Sequence, residues 1–217
     1  MSNSESFIDE VTEEVRREKF YGVLRRFGWI GILAVILIVG GASWNEWSKA
    51  QARAAAQAKG EAILAALDAP EVADRIAGLA LVVTAENGAP VPTLVLAAEQ
   101  ERVGDLAGAR ATLEGLVQNP EATAVYRDLA ELKALMLADA SLAAEDRLAR
   151  LQALAVPGRP FALLADEQIA LTQVAAGEID AAAQTLRRIV EDANASAGLR
   201  ERAQGLMLAL GIEPAQD

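Results

Sequence analysis

The chain has 217 residues, 53% of them apolar, with no His, no Cys and a net charge of −11 at neutral pH. Those absences exclude a Ser-His-Asp triad, a cysteine nucleophile, disulfides, thiolate or imidazole metal sites and a histidine pH switch. The acidic balance repels phosphate backbones, so no nucleic-acid partner is expected, and the excess of Ala, Leu, Glu, Arg and Gln over Val, Ile and Thr predicts an all-α fold.

Residues 1–26 read as a cytoplasmic amphipathic leader. Phe7, Ile8, Val11 and Val15 recur at helical spacing, acids precede bases, and Ser6 stands where a cap would open the helix, ahead of Asp9 and Glu10. Such a helix lies on a membrane surface, positions an anchor or docks on a cytoplasmic partner.

Residues 27–47 are expected to form a transmembrane helix. From Phe27 to Asn45 nineteen residues carry no formal charge, and Ile30 to Val39 are almost wholly aliphatic. At helical rise this run is roughly 28 Å long, close to the thickness of a bilayer's hydrocarbon core. Trp29, Trp44 and Trp47 stand at its two ends, where amphipathic rings favour the headgroup regions, and Arg25 and Arg26 abut its start. These five are the expected anchor residues. A buried core helix and a cleaved signal peptide are the competing readings; the charged leader, the length of the run and the helical pattern continuing past Ala42 argue against cleavage. Five bases before the run against three in residues 46–60 place the N-terminus in the cytoplasm and the rest in the periplasm of a bacterial inner membrane. Gly31, Ala34 and Gly41 fall near one helical face, open to approach by another helix.

Residues 48–217 are expected to be a periplasmic helical-repeat domain. Residues 45–217 hold 15 bases and 25 acids, and the only aromatics after Trp47 are Tyr126 and Phe161, too few for an aromatic-lined pocket. Breakers divide the region at Asp68-Ala69-Pro70, Asn87 to Pro92, Gly104-Asp105, Asn119-Pro120, Pro157 to Pro160, Gly177-Glu178 and Gly198. A shift of 73 residues superposes Gly104, Leu106, Ala109, Thr112, Leu113, Leu116 and Val117 on Gly177, Ile179, Ala182, Thr185, Leu186, Ile189 and Val190. Leu151, Leu154 and Ala155, standing 35 residues before Leu186, Ile189 and Val190, mark an intermediate copy. Three units of about 35 residues indicate stacked helical hairpins, a solenoid. Gly104, Leu106, Ala109 and Leu113, with Gly177, Ile179, Ala182 and Leu186, are the expected repeat-packing positions.

The pattern Leu96-Ala97, Gly104, Leu106, Ala109, Leu113, Leu116, Pro120, repeated from Ile169-Ala170, resembles degenerate tetratricopeptide repeats, with aliphatics replacing the usual aromatics and no glycine turn in the middle unit. The whole layout of charged leader, single span, Ala- and Gln-rich helix and acidic repeat domain resembles the YfgM-like ancillary subunits of the Sec translocon. That resemblance implies a periplasm-facing scaffold associated with the translocon and with a membrane-anchored chaperone of the prolyl isomerase type. It implies no catalytic residue.

The acid pairs Glu99/Glu101, Glu145/Asp146, Asp166/Glu167 and Glu191/Asp192 stand one or two residues apart, so none converges as a dyad on one helix face; they read as solvated faces and first turns. Arg187-Arg188 lies late in a helix, where bases complement the dipole. No phosphate loop, EF-hand or HExxH motif occurs. No catalytic, cofactor or metal role is assigned, and the expected activity is a non-enzymatic, membrane-tethered scaffold. An accessory subunit of another inner-membrane complex, such as a respiratory one, and a carboxylate-based hydrolase are the alternatives.

Overall fold

The structure, a computed structural model, describes the backbone of residues 3–137 and 142–212; within the first helix, the side chains of residues 3–28, 31, 32, 34 and 35 lie outside the description. The described residues are helical, with nine α-helices and no strand. They divide into two compact units, residues 1–61 and 62–217.

The first helix, α1, runs unbroken from Asn3 to Leu67. It therefore merges the expected leader, span and Ala-rich helix, and Ser6 lies inside it rather than capping it. In the first unit every described side chain from Trp29 to Lys59 is exposed, including Ile36, Leu37, Ile38 and Val39. The Trp44 and Trp47 rings meet at 5.3 Å with a 45° tilt. The side chains of Arg25, Arg26, Ala34 and the leader's apolar residues lie outside the described residues. Among the described residues no helix is long and apolar enough to cross a membrane, so the span expected at residues 27–47 finds no support there.

The second unit contains α2 (Val72–Ala85), α3 (Pro90–Arg102), α4 (Leu106–Val117), α5 (Ala124–Met136), α6 (Ala144–Leu154), α7 (Ala162–Ala175), α8 (Ile179–Glu191) and α9 (Ala197–Ala209). Each packs mainly on its neighbours in sequence, as in a solenoid. Three apolar clusters succeed one another along the stack. Leu113 and Leu116 pack among Ala97, Ala109, Ala130 and Ala134; Leu132, Leu135, Leu151 and Ile169 form the second; Leu186, Ile189, Leu199 and Met207 form the third.

Two breakers act differently from expectation. Pro90 and Pro92 open α3 instead of lying in a loop, because a first-turn residue has no intrahelical N–H bond for proline to lose. Gly198 sits in the first turn of α9; that helix is started by Ser196, whose hydroxyl accepts from the Leu199 N–H at 3.2 Å. Where Gly78 crosses the end of α1, a Cβ would stand 3.1 Å from that of Ala66, so the glycine allows the close packing.

Candidate protein-binding grooves

The hairpins α3–α4 and α7–α8 share more than their apolar pattern. Gly104 and Gly177 both end the first helix of their pair in the left-handed region, at φ +81° and +78°. The N–H of Asp105 donates to the Gln100 carbonyl at 2.9 Å, and that of Glu178 to the Gln173 carbonyl at 2.8 Å. Across each hairpin a threonine hydroxyl meets a glutamine Oε1, half-buried Thr112 with Gln100 at 2.8 Å and buried Thr185 with Gln173 at 3.1 Å. Every one of these pairs preserves the 73-residue shift.

Ala109, Leu113, Ala182 and Leu186 are fully buried at the heart of these hairpins. Leu106 and Ile179 depart from the packing expected of them, at 46% and 38% exposed. Each is the first residue of its helix, beside the glycine turn.

The same register lines two grooves. One, of about 540 Å³, is walled by α2, α3 and α4 and includes Thr93, Leu96, Ala111, Thr112 and Gly115. The other, of about 310 Å³, is walled by α6, α7 and α8 and has Asp166, Ile169, Gln184, Thr185 and Arg188 at the equivalent positions. The first is mostly apolar; the second adds the amides of Gln152 and Gln173 to an Asp166–Arg188 ion pair at 3.3 Å.

Several acids expected on solvated faces are structural instead. Glu99 joins Arg75 at 3.0 Å and Arg102 at 2.7 Å. The hydrogen bond from Arg75, aided by Arg102, holds its carboxyl below the usual carboxylate range against the opposing effect of burial. Glu167 takes a two-pronged bond from Arg202 of α9, at 2.7 and 2.9 Å, and Glu131 takes one from Arg150 of α6 at the same distances. Both guanidinium pKa values rise accordingly. Burial pushes the Asp166 carboxyl up, opposed by Arg188, with the nearby Asp192 carboxylate adding a smaller upward push. Apart from the i,i+3 pair of Glu99 with Arg102 inside α3, these pairings are invisible in sequence, because the other arginines come from other helices.

No group of three potential metal-ligating side chains occurs among the described residues. The arrangement offers concave, amide- and hydroxyl-lined surface on rigid hairpins, the kind of surface on which a helical-repeat domain holds another polypeptide.

These stacked hairpins define a helical-repeat protein. The tetratricopeptide repeat-like domain family matches residues 25–157, more than half of the chain, and the chain belongs to that family. No curated protein and no solved structure matches it. The α7–α8 hairpin lies beyond the matched residues yet repeats the glycine turn and the threonine–glutamine bond of α3–α4. Domains of this family are in general non-catalytic scaffolds that bind other proteins.

Proposed function

We propose that this protein is a membrane-anchored adaptor that holds partner proteins in the grooves of its repeat domain. The carrying observation is the recurrence of one groove at one register on two hairpins, with different linings on the same frame. Family membership supports protein partners in general.

The anchor is residues 27–47. Its support is the uncharged nineteen-residue run and the exposure of Trp29, Ile36, Leu37, Ile38, Val39, Trp44 and Trp47, apolar surface that water penalises and lipid accepts. The basic bias before the run supports a cytoplasmic N-terminus and a periplasmic repeat domain at a bacterial inner membrane. By resemblance, the partners are translocon subunits and periplasmic chaperones.

Reporters fused after Trp47 and at the C-terminus test the topology: both are expected on the periplasmic side, and cytoplasmic signals from both defeat it. Photo-crosslinkers at Gln118 and Gln184, one at each groove, test the adaptor role in membranes. Capture of translocon or chaperone subunits supports it; the absence of protein cross-links at either groove defeats it. If partners are captured only through residues 27–47, the protein is an accessory subunit held by its span.

A further inference from the structure

The two ends of the repeat array differ where successive hairpins meet. At the α3–α4 hairpin the side chain of Asn119, after α4, reaches back to the loop before α3. Its Nδ2 donates to the carbonyls of Asn87 and Gly88, each at 3.0 Å, while its Oδ1 accepts from the Glu121 N–H at 2.9 Å. One amide thus closes the junction between two loops, using both its donor and its acceptor. Nearby Thr93 satisfies its hydroxyl on the Ala89 carbonyl at 2.8 Å.

Shifted by 73 residues, Asn119 becomes Asp192 and Thr93 becomes Asp166. Half of the Asn119 arrangement survives: Oδ1 of Asp192 accepts from the Asn194 N–H at 2.7 Å. The other half is lost, since a carboxylate oxygen has no proton to give the facing loop. Among the described residues no donor reaches Oδ2 of Asp192. The unlatched junction holds a cavity of about 570 Å³ between the 157–160 loop and the 192–196 loop, lined by both Asp166 and Asp192. That size is within the range of ligand pockets.

One wall is apolar, formed by Pro157, Leu163, Leu164 and Leu199, while Asn194 and Ser196 add polar lining on the side of the 192–196 loop. Arg159 also borders it, but that guanidinium is already held by Asp128, at 2.6 and 3.2 Å, and by the Ala153 carbonyl. Arg200 is spent on the carbonyls of Val190, Asp192 and Ala195. Arg188 reaches Asp166 but not Asp192, and is itself 63% exposed on its side chain. The cavity therefore presents an aliphatic wall and, beside the Arg188-paired Asp166, an Asp192 carboxylate that accepts only the Asn194 N–H, through Oδ1. A hard metal ion takes six or more oxygens, and no third carboxylate is grouped with these two. A long side chain with an apolar stem and a cationic head matches both features.

We propose that the cavity between the 157–160 and 192–196 loops is a receptor for a lysine or arginine side chain of a partner polypeptide, whose cation bridges Asp166 and Asp192. The proposal deepens the adaptor reading and rests on it, since the cation is delivered by a bound protein segment. The burial that raises the Asp166 pKa is what a cation entering the cavity would offset.

The test uses the full chain in mild detergent and a fluorescein-labelled nonapeptide of Gly, Ser and Leu with one central lysine, against a twin with norleucine there. Fluorescence polarisation is expected to show the lysine peptide binding at least about tenfold more tightly. Asp192→Asn, which restores the residue of the α3–α4 hairpin, is expected to abolish that preference. Asp180→Asn, an equal charge change on the first turn of α8, is expected to retain it. Equal binding of the two peptides, no binding of either up to millimolar concentration, or equal effects of the two substitutions overturns the proposal. Any of these results with groove cross-links intact leaves the adaptor role standing, whereas loss of groove cross-links in the unaltered protein removes that role first.

Discussion

Leu113 and Leu186 occupy the same register in two hairpins and are both fully buried, yet truncating them to alanine is expected to cost different amounts. A buried Leu→Ala change costs about 2.7–5 kcal/mol, set by how far the surroundings close the cavity. Around Leu113 the buried neighbours are Ala97, Ala109, Ala122, Ala130, Ala134 and Leu116. An alanine side chain has no rotamer that reaches into a hole, and of these neighbours only Leu116 has one, so closure mostly requires moving a helix. Around Leu186 the alanines are two, Ala170 and Ala203, beside Ile189, Leu199 and Met207, and the unbranched thioether of Met207 refills irregular space. Leu113→Ala is therefore expected near about 4 kcal/mol and Leu186→Ala near about 3 kcal/mol. Because the helices pack mainly on sequence neighbours, the loss should also be local. Hydrogen exchange of the full chain in detergent should accelerate by roughly a thousandfold in α3–α5 for the first variant and by about a hundredfold in α7–α9 for the second. Equal costs would defeat the refilling argument, and uniform acceleration through α2–α9 would defeat the linear, nearest-neighbour picture.

Gly104→Ala and Gly177→Ala each place a Cβ at φ near +80° with nothing within 4 Å, so the cost is conformational, about 1 kcal/mol, and additive across the two turns by chemical denaturation. Thr185→Val removes the hydroxyl facing Gln173 and should lower stability by about 1 kcal/mol, with a similar effect for Thr112→Val. Glu99 has a depressed carboxyl pKa, so its stabilisation is present above the ordinary carboxylate pKa and is lost as pH falls through the lowered one. Glu99→Gln should accordingly flatten the acid limb of a stability–pH profile. Asp166 has the opposite sign: its raised pKa makes the ionised form a cost at neutral pH that is relieved as pH falls through that raised value. Asp166→Asn should thus help stability at pH 7 and do so less at pH 4; a variant equally stabilised at both would refute the sign.

Much of the repeat domain was legible because its signals are local. Asp68-Ala69-Pro70, Gly104-Asp105 and Gly177-Glu178 stop helices through turn chemistry acting within a few residues, and the 73-residue shift is written in which positions must be apolar. The turn between α5 and α6 carried no such signal. Periodicity places Leu106 and Ile179 on the packed face without revealing that the face ends at the first turn. Pro90, Pro92 and Gly198 are breakers by residue type, yet position decides their effect: proline and glycine are tolerated where helices begin. Arg75, Arg188 and Arg202 lie 24, 22 and 35 residues from Glu99, Asp166 and Glu167, so these pairings depend on which helices the stack brings together.

The same limit explains why the cavity at Asp166 and Asp192 escaped notice. On one helix Asp166/Glu167 is an unremarkable acid pair, and Glu191/Asp192 is another. Their meaning appears when Asp192 is set against Asn119, whose amide closes the equivalent junction with two donated bonds. A single exchange of amide for carboxylate keeps the turn, through the bond from Asn194, while removing the latch. An array in which each unit contacts mainly its neighbours tolerates such a change, because the cost of an unlatched loop is not passed along the stack. Repetition thus supplies the frame, and departure from repetition at a junction supplies a surface that only one end of the molecule possesses.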